Sequence, residues 1–101
     1  REPRPDAVFC ADDVIAMATM DLARYKLGLR IPEDLSVIGF DDIPPSARPN
    51  YQLTTIRQPF GRLVDSTIDA LLEAINSPDT KVIEKVVPPT LTWRKTVQKN
   101  N

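Results

Sequence analysis

The stretch Leu35-Ser36-Val37-Ile38-Gly39-Phe40-Asp41-Asp42 decides the fold. Val37, Ile38 and Phe40 read as a short strand buried on both faces, as the inner strands of parallel sheets are. The run stops abruptly on two carboxylates. In open α/β sheets ligands lie outside the carboxyl ends of the strands, so Asp41 is the first candidate for a ligand contact.

Upstream, Asp6 to Cys10 reads as another short strand, entered through a proline-rich stretch and leading into Ala11-Asp12-Asp13. From Val14 the period changes to that of a helix. Val14, Met17, Ala18, Leu22 and Tyr25 recur at steps of three and four, Ile15, Thr19 and Ala23 make a second and smaller apolar stripe, and Gly28 follows as a C-terminal stop. A helix apolar on two sides packs on two things, here its own sheet and a neighbouring subunit. Strand, helix and strand with a crossover of this length form a right-handed βαβ unit, so the two strands are expected to be parallel. Both then end in paired aspartates at one edge of the sheet: Asp12 and Asp13 after the first, Asp41 and Asp42 after the second.

Downstream, Ile43 to Tyr51 contains Pro44, Pro45 and Pro49 and is expected to be irregular. Leu53 to Arg57 is a third, threonine-rich strand ended by Gln58-Pro59. Phe60, Leu63, Val64, Thr67, Ile68, Leu71, Leu72 and Ile75 mark a strongly amphipathic helix, closed by Asn76-Ser77-Pro78-Asp79. Val82 to Val87 and Thr90 to Arg94 read as two last strands, broken by Pro88-Pro89, with a polar tail after Val97.

Composition narrows the function. The 101 residues, 42% hydrophobic and 27% charged, suit one soluble globular unit with a modest core. The chain opens on Arg1-Glu2-Pro3 without an initiator methionine and is expected to be a piece of something longer. Net charge is −1 and the 13 basic residues are scattered, which leaves no nucleic-acid footprint in this segment. Histidine is absent and Cys10 is the lone thiol, so a disulfide framework and a structural zinc site are both excluded, and Cys10 is expected to be a small buried hydrophobe. No apolar stretch is long enough to span a bilayer.

Each acidic pair has a mundane reading. Asp13, directly before Val14, suits a helix N-terminus, where accepting orphan N–H groups contributes about 1 kcal/mol; capping is the preferred reading there, and Asp12 is the better ligand candidate. Asp41 and Asp42 could serve turn geometry. Four carboxylates at neighbouring strand ends repel one another, however, and call for a donor: a metal, another cation, an arginine from elsewhere, or ligand hydroxyls. The metal option resembles the acidic pocket of response-regulator receiver domains, a magnesium-dependent phosphoacceptor, but the order of the acidic strands differs and no lysine ends a later strand. Arg57 reads as a solvated strand end, whereas Gln58 can both donate to and accept from a ligand hydroxyl. Trp93 and Phe60 read as core or hinge packing.

Together, Phe9-Cys10-Ala11-Asp12-Asp13-Val14-Ile15-Ala16, the run Gly28 to Ile43, and Leu53-Thr54-Thr55-Ile56-Arg57-Gln58-Pro59 closely resemble the C-terminal part of lac and galactose repressor family transcription regulators, in order and spacing over nearly the whole chain. The resemblance implies an α/β chain, a partial type I periplasmic-binding-protein-like fold: a parallel sheet with flanking helices, part of a two-lobed domain with an effector in the cleft. It places residues 1–58 and 90–97 in the second lobe and 59–88 in the first, with a helix-turn-helix headpiece outside this segment. It further implies that Asp41 hydrogen-bonds effector hydroxyls or ring nitrogens, that Asp12 faces the effector, and that Gln58 lines the hinge side of the cleft. The position of Asp12 is usually asparagine. An ionised aspartate only accepts hydrogen bonds, which favours a donor-rich effector such as a sugar, polyol or amine.

By the same resemblance the protein is a cytoplasmic homodimer without catalytic residues, metal or cofactor, reaching operator DNA through the headpiece. Met17 and Asp21 on the helix, with Ser46, Arg48 and Tyr51 in the loop, are the implied interface residues. An exported sugar-binding protein of a transport system is the alternative on the same fold.

Overall fold

The strand that opened the reading is the inner strand of the sheet. In a computed structural model, which describes residues 3–77 and 82–99, β1 (Ala7–Phe9) and β2 (Ser36–Asp41) pair in parallel with Val8 opposite Val37. On the other side of β2, β3 (Thr54–Arg57) is also parallel, with Ile38 opposite Thr54 and Asp41 opposite Arg57. β4 (Thr90–Thr92) completes the order β1-β2-β3-β4. Ser36, Val37 and Gly39 of β2 are buried, whereas Ile38 and Phe40, expected to be buried as well, are only half-buried because α1 covers one face of the strand.

The helix between β1 and β2, α1 (Asp13–Tyr25), is where the expected one appears, but its buried face is different. Asp13, Ala16, Met20 and Ala23, spaced by three and four, pack against the sheet. The larger stripe of Val14, Leu22 and Tyr25 is exposed, and Ile15 beside it also. Small residues on the inner face let the helix lie close to β2, and Met20 fills the remaining space. Val37, Leu53, Met20, Leu35 and Cys10 complete the core with the two alanines, and Val8, Met17, Leu29, Ile31 and Tyr51 pack on its margin. Full burial of side chains the size of Met20, Val37 and Leu53 contributes roughly 1.5–3 kcal/mol each. The helix ends as anticipated: Gly28, at φ 65°, turns the chain so that the Leu29 N–H reaches the Ala23 carbonyl at 2.9 Å.

Between β2 and β3 the proline-rich loop is not wholly irregular. Pro44–Ala47 forms a single 3-10 turn, started by prolines that cannot donate and closed by the Arg48 N–H on the Pro45 carbonyl. The segment after β4 also contributes. Thr96, buried, donates its hydroxyl to the Val37 carbonyl at 2.6 Å and accepts the Thr54 N–H at 2.9 Å, while its own carbonyl accepts the Val37 N–H at 2.8 Å. One side chain thus bridges β2 and β3 where their register begins.

The chain divides into two compact units, one ending at Arg57 and resuming at Leu91, the other running from Gln58 to Thr90. The second contains α2 (Phe60–Asn76), which covers the helix expected from Phe60 to Ile75 and includes Asn76. No residue of α2 is buried; Phe60, Val64, Ile68, Leu71, Leu72 and Ile75 are all exposed. The strand expected over Val82 to Val87 is not formed. Ile83 and Val87 are half-buried and, with the exposed Lys85, line a pocket against Leu63, Ser66, Thr67 and Ala70 of α2, while Val82, Glu84 and Val86 are exposed. The segment has no partner strand among the described residues. The expected closing residues Pro78 and Asp79 lie outside the described residues, and the last strand stops at Thr92 rather than Arg94.

Candidate functional site

The four aspartates fall at the carboxyl ends of β1 and β2, on one edge of the first unit. Their individual tasks differ from the expected ones. Asp12, in extended conformation at φ −155°, is the N-cap of α1, and its Oδ1 accepts the Ile15 N–H at 2.8 Å. Asp13 is not a cap. Its side chain is wholly buried, where Oδ2 accepts the Ile43 N–H at 2.9 Å and the Ser46 hydroxyl at 2.5 Å, and Oδ1 accepts the Thr55 hydroxyl at 2.6 Å. One carboxylate thereby joins α1, the loop after β2, and β3. Gly39 belongs to the same arrangement: a Cβ there would collide with the Asp13 carboxylate and lie 2.9 Å from Leu53 Cδ2.

At the end of β2 the backbone takes an unusual course. Asp41 and Asp42 have φ of 118° and 59°, a left-handed region that L-residues other than asparagine and aspartate seldom occupy. The Asp42 side chain is only 5% exposed and its Oδ1 lies 2.8 Å from Arg94 Nη1. Arg57 Nη1 approaches Asp42 Oδ2 at 3.8 Å from a largely exposed position. Arg94 is the arginine from elsewhere that the acidic pairs called for, supplied by the segment after β4. Among the described residues no three carboxylates or thiols converge as a metal site.

Asp12 and Asp41 are brought to the same sheet edge, each half-buried, while Gln58 belongs to the second unit. Of the implied interface residues, Ser46 is a correction: it is fully buried with its hydroxyl committed to Asp13, so its side chain cannot face a partner. Tyr51 donates its hydroxyl to Asp21 at 3.0 Å, and this bond to a carboxylate holds the phenol above its ordinary pKa. Met17 packs half-buried on the core margin and Arg48 is exposed. Trp93 and Phe60 are not core residues; both are more than half exposed, and Lys99 lies over the Trp93 ring at 5.1 Å. Sequence reasoning missed Arg94 and Thr96. Arg94 reads as no more than the end of the last strand and Thr96 follows it with no periodicity to mark it; only the return of the chain to the first unit reveals their partners.

A sequence profile of the periplasmic binding protein-like domain matches residues 1–97. The chain belongs to that family. Among known proteins it is 44% identical over 99 residues to the HTH-type transcriptional repressor PurR of Pectobacterium atrosepticum, covering 96% of this chain and 28% of the repressor. The chain therefore spans under a third of the length of such relatives. Among solved structures it is similar to the lac repressor dimer bound to operator and the anti-inducer ONPF, with a TM-score of 0.81, 34% identity, and coverage of 92% of this chain and 32% of that one. It is likewise similar to the transcriptional regulator CelR in complex with cellobiose, with a TM-score of 0.82, 29% identity, and coverage of 93% and 28%. The lac and galactose repressor likeness read from the motifs is thereby established, and this periplasmic-binding-protein-like segment corresponds to part of the effector domain of such regulators.

Proposed function

We propose that this chain supplies the acidic wall of a small-molecule effector site in a cytoplasmic, DNA-binding transcriptional regulator, with Asp41 as the principal contact. The observation that carries the reading is the left-handed turn at Asp41 and Asp42, at the carboxyl end of the inner parallel strand. Ligands of open α/β sheets gather at that edge, and backbone strain concentrates at binding sites. Asp12 joins Asp41 there. Capping Ile15 uses one of its lone pairs and leaves acceptor capacity for a second donor. Two carboxylates at one edge suit an effector rich in hydroxyls or N–H groups, a sugar or polyol first and a nucleobase second. Gln58 is carried as a third contact on the family likeness alone.

The regulator would act without chemistry. Effector binding shifts the population between operator-bound and free states by its differential affinity for them. Dimerisation through the outer face of α1 is part of the reading, supported by the exposure of Val14, Leu22 and Tyr25. Asp21, Arg48 and Tyr51 lie at its margin in this reading, with Met17 beneath it.

A thermal-shift screen of the full-length protein with glucose, cellobiose, sucrose, adenine and guanine tests the effector class. A rise in midpoint with a sugar supports the reading, and a rise with a purine alone replaces the sugar by a base. Asp12→Asn sharpens the test, because asparagine caps a helix as well as aspartate does. Stability should stay within about 0.5 kcal/mol of the parent, while the order of preference among the probes changes. An unchanged order removes Asp12 from the site.

A further inference from the structure

We infer that Arg94, acting through Asp42, is the positioning residue of the effector site: it holds the Asp41-Asp42 turn in its left-handed conformation and so sets where the Asp41 carboxylate stands. The inference rests on the reading of Asp41 as an effector contact and adds to it a residue far away in sequence.

Two successive non-glycine residues at φ 118° and 59° persist only where the surroundings over-determine them. Here the constraint is visible within the turn and just after it. After it, the Ile43 N–H is held by Asp13 at 2.9 Å. Within it, the nearly buried Asp42 carboxylate meets Arg94 Nη1 at 2.8 Å. Arg94 is itself fixed from two directions, since its Nη1 donates to the Leu53 carbonyl at 2.9 Å and its backbone N–H donates to the Thr54 hydroxyl at 3.0 Å. A guanidinium so anchored is a rigid post rather than a mobile surface cation, and a charge-assisted bond in a site of low exposure is stronger than a surface pair.

The location of Arg94 gives the pair a second consequence. The chain re-enters the first unit at Leu91, three residues before Arg94. The segment that returns from the second unit therefore carries the group that fixes the Asp41 turn. Any arrangement of this segment that breaks the Arg94–Asp42 contact would therefore also release the turn. Asp13 is not an equivalent handle, because it also holds Ser46 and Thr55 and its loss would loosen three elements together.

The test uses the full-length protein as parent, Arg94→Met, Arg94→Gln and Arg94→Lys. Crystal structures without effector give the backbone angles at residues 41 and 42, and calorimetric titration gives the Kd of whichever of glucose, cellobiose, sucrose, adenine or guanine the parent binds. Arg94→Met should bring φ of Asp41 back to negative values, leave the Asp13–Ile43 bond in place, and weaken the probe at least tenfold. Arg94→Lys, which restores the charge but not both bonds, should recover part of that loss. Arg94→Gln supplies the same comparison should Arg94→Met fail to fold. Retention of both positive φ values in Arg94→Met or Arg94→Gln overturns the inference whether or not a probe binds, and so does a relaxed turn with unchanged Kd. Failure of every probe to bind the parent counts against the effector reading instead, and the angles still decide the role of Arg94.

Discussion

Asp12 takes the capping role that local reasoning assigns to Asp13, and Asp13 has a role that local reasoning does not offer. A helix start is legible in Asp12-Asp13-Val14, but the boundary slips by a residue in any such reading, and here that slip separates an N-cap from a fully buried clamp. What identifies Asp13 as the clamp is not local: its donors lie at Ile43, Ser46 and Thr55, thirty or more residues away. Asp13→Ala would leave these donors buried and unpaired, at roughly 1–3 kcal/mol each. The variant should lose about 3 kcal/mol or more in urea denaturation, and a loss under about 1 kcal/mol would remove the clamp from the account. The pair of Arg30 and Asp34 gives a separate check at acid pH. Its hydrogen bond to Arg30 lowers the Asp34 carboxyl from 3.8 to about 2. A carboxyl depressed in the folded state stabilises above its unfolded pKa, so its contribution is complete above pH 3.8 and disappears as the pH falls through about 2. Asp34→Asn should therefore be less stable than the parent at pH 6, and the gap should close by pH 2.

At the scale of elements, β2 and α2 were the most legible parts, for different reasons. β2 announces itself by an apolar run without alternation, and α2 by a 3.6-residue period undisturbed by glycine or proline after its start. The strand expected over Val82 to Val87 is rich in β-branched residues but has no partner strand among the described residues, which a local pattern cannot supply. α1 shows why a correct helix can be given the wrong face. Its larger apolar residues, Val14, Leu22 and Tyr25, point outward, and the core takes Ala16, Met20 and Ala23. Close approach to β2 selects small side chains, so size is a poor guide to burial there. In the proposed dimer that outer stripe is an interface. Leu22→Glu should convert the full-length protein to monomers in sedimentation velocity without altering its helix content, and a dimer of unchanged affinity would exclude this face.

The whole molecule is two units that differ in completeness. The first has a core of buried apolar residues and a buried polar network; the second presents an amphipathic helix none of whose residues is buried. Burial of Ile68, Leu71, Leu72 and Ile75 elsewhere would stabilise by about 1.5–3 kcal/mol for each side chain fully covered. The isolated 101-residue chain is accordingly expected to self-associate, and a monodisperse monomer with one cooperative unfolding transition would contradict this. The carboxyl-edge placement of the acidic pairs was readable from the order of strands and helices, whereas the left-handed turn and its arginine were not, because they depend on contacts between Asp42 and a residue fifty-two positions later.

The claim on which the functional account stands is that Asp41 contacts the effector. It is tested most directly by calorimetric titration of the full-length parent and its Asp41→Ala variant with the sugar or base that stabilises the parent. Loss of hydrogen bonds to a charged acceptor, roughly 1.5–3 kcal/mol, predicts a Kd weaker by about ten- to a hundredfold in a variant that unfolds at the parental temperature. Equal affinity in the two proteins would contradict the account.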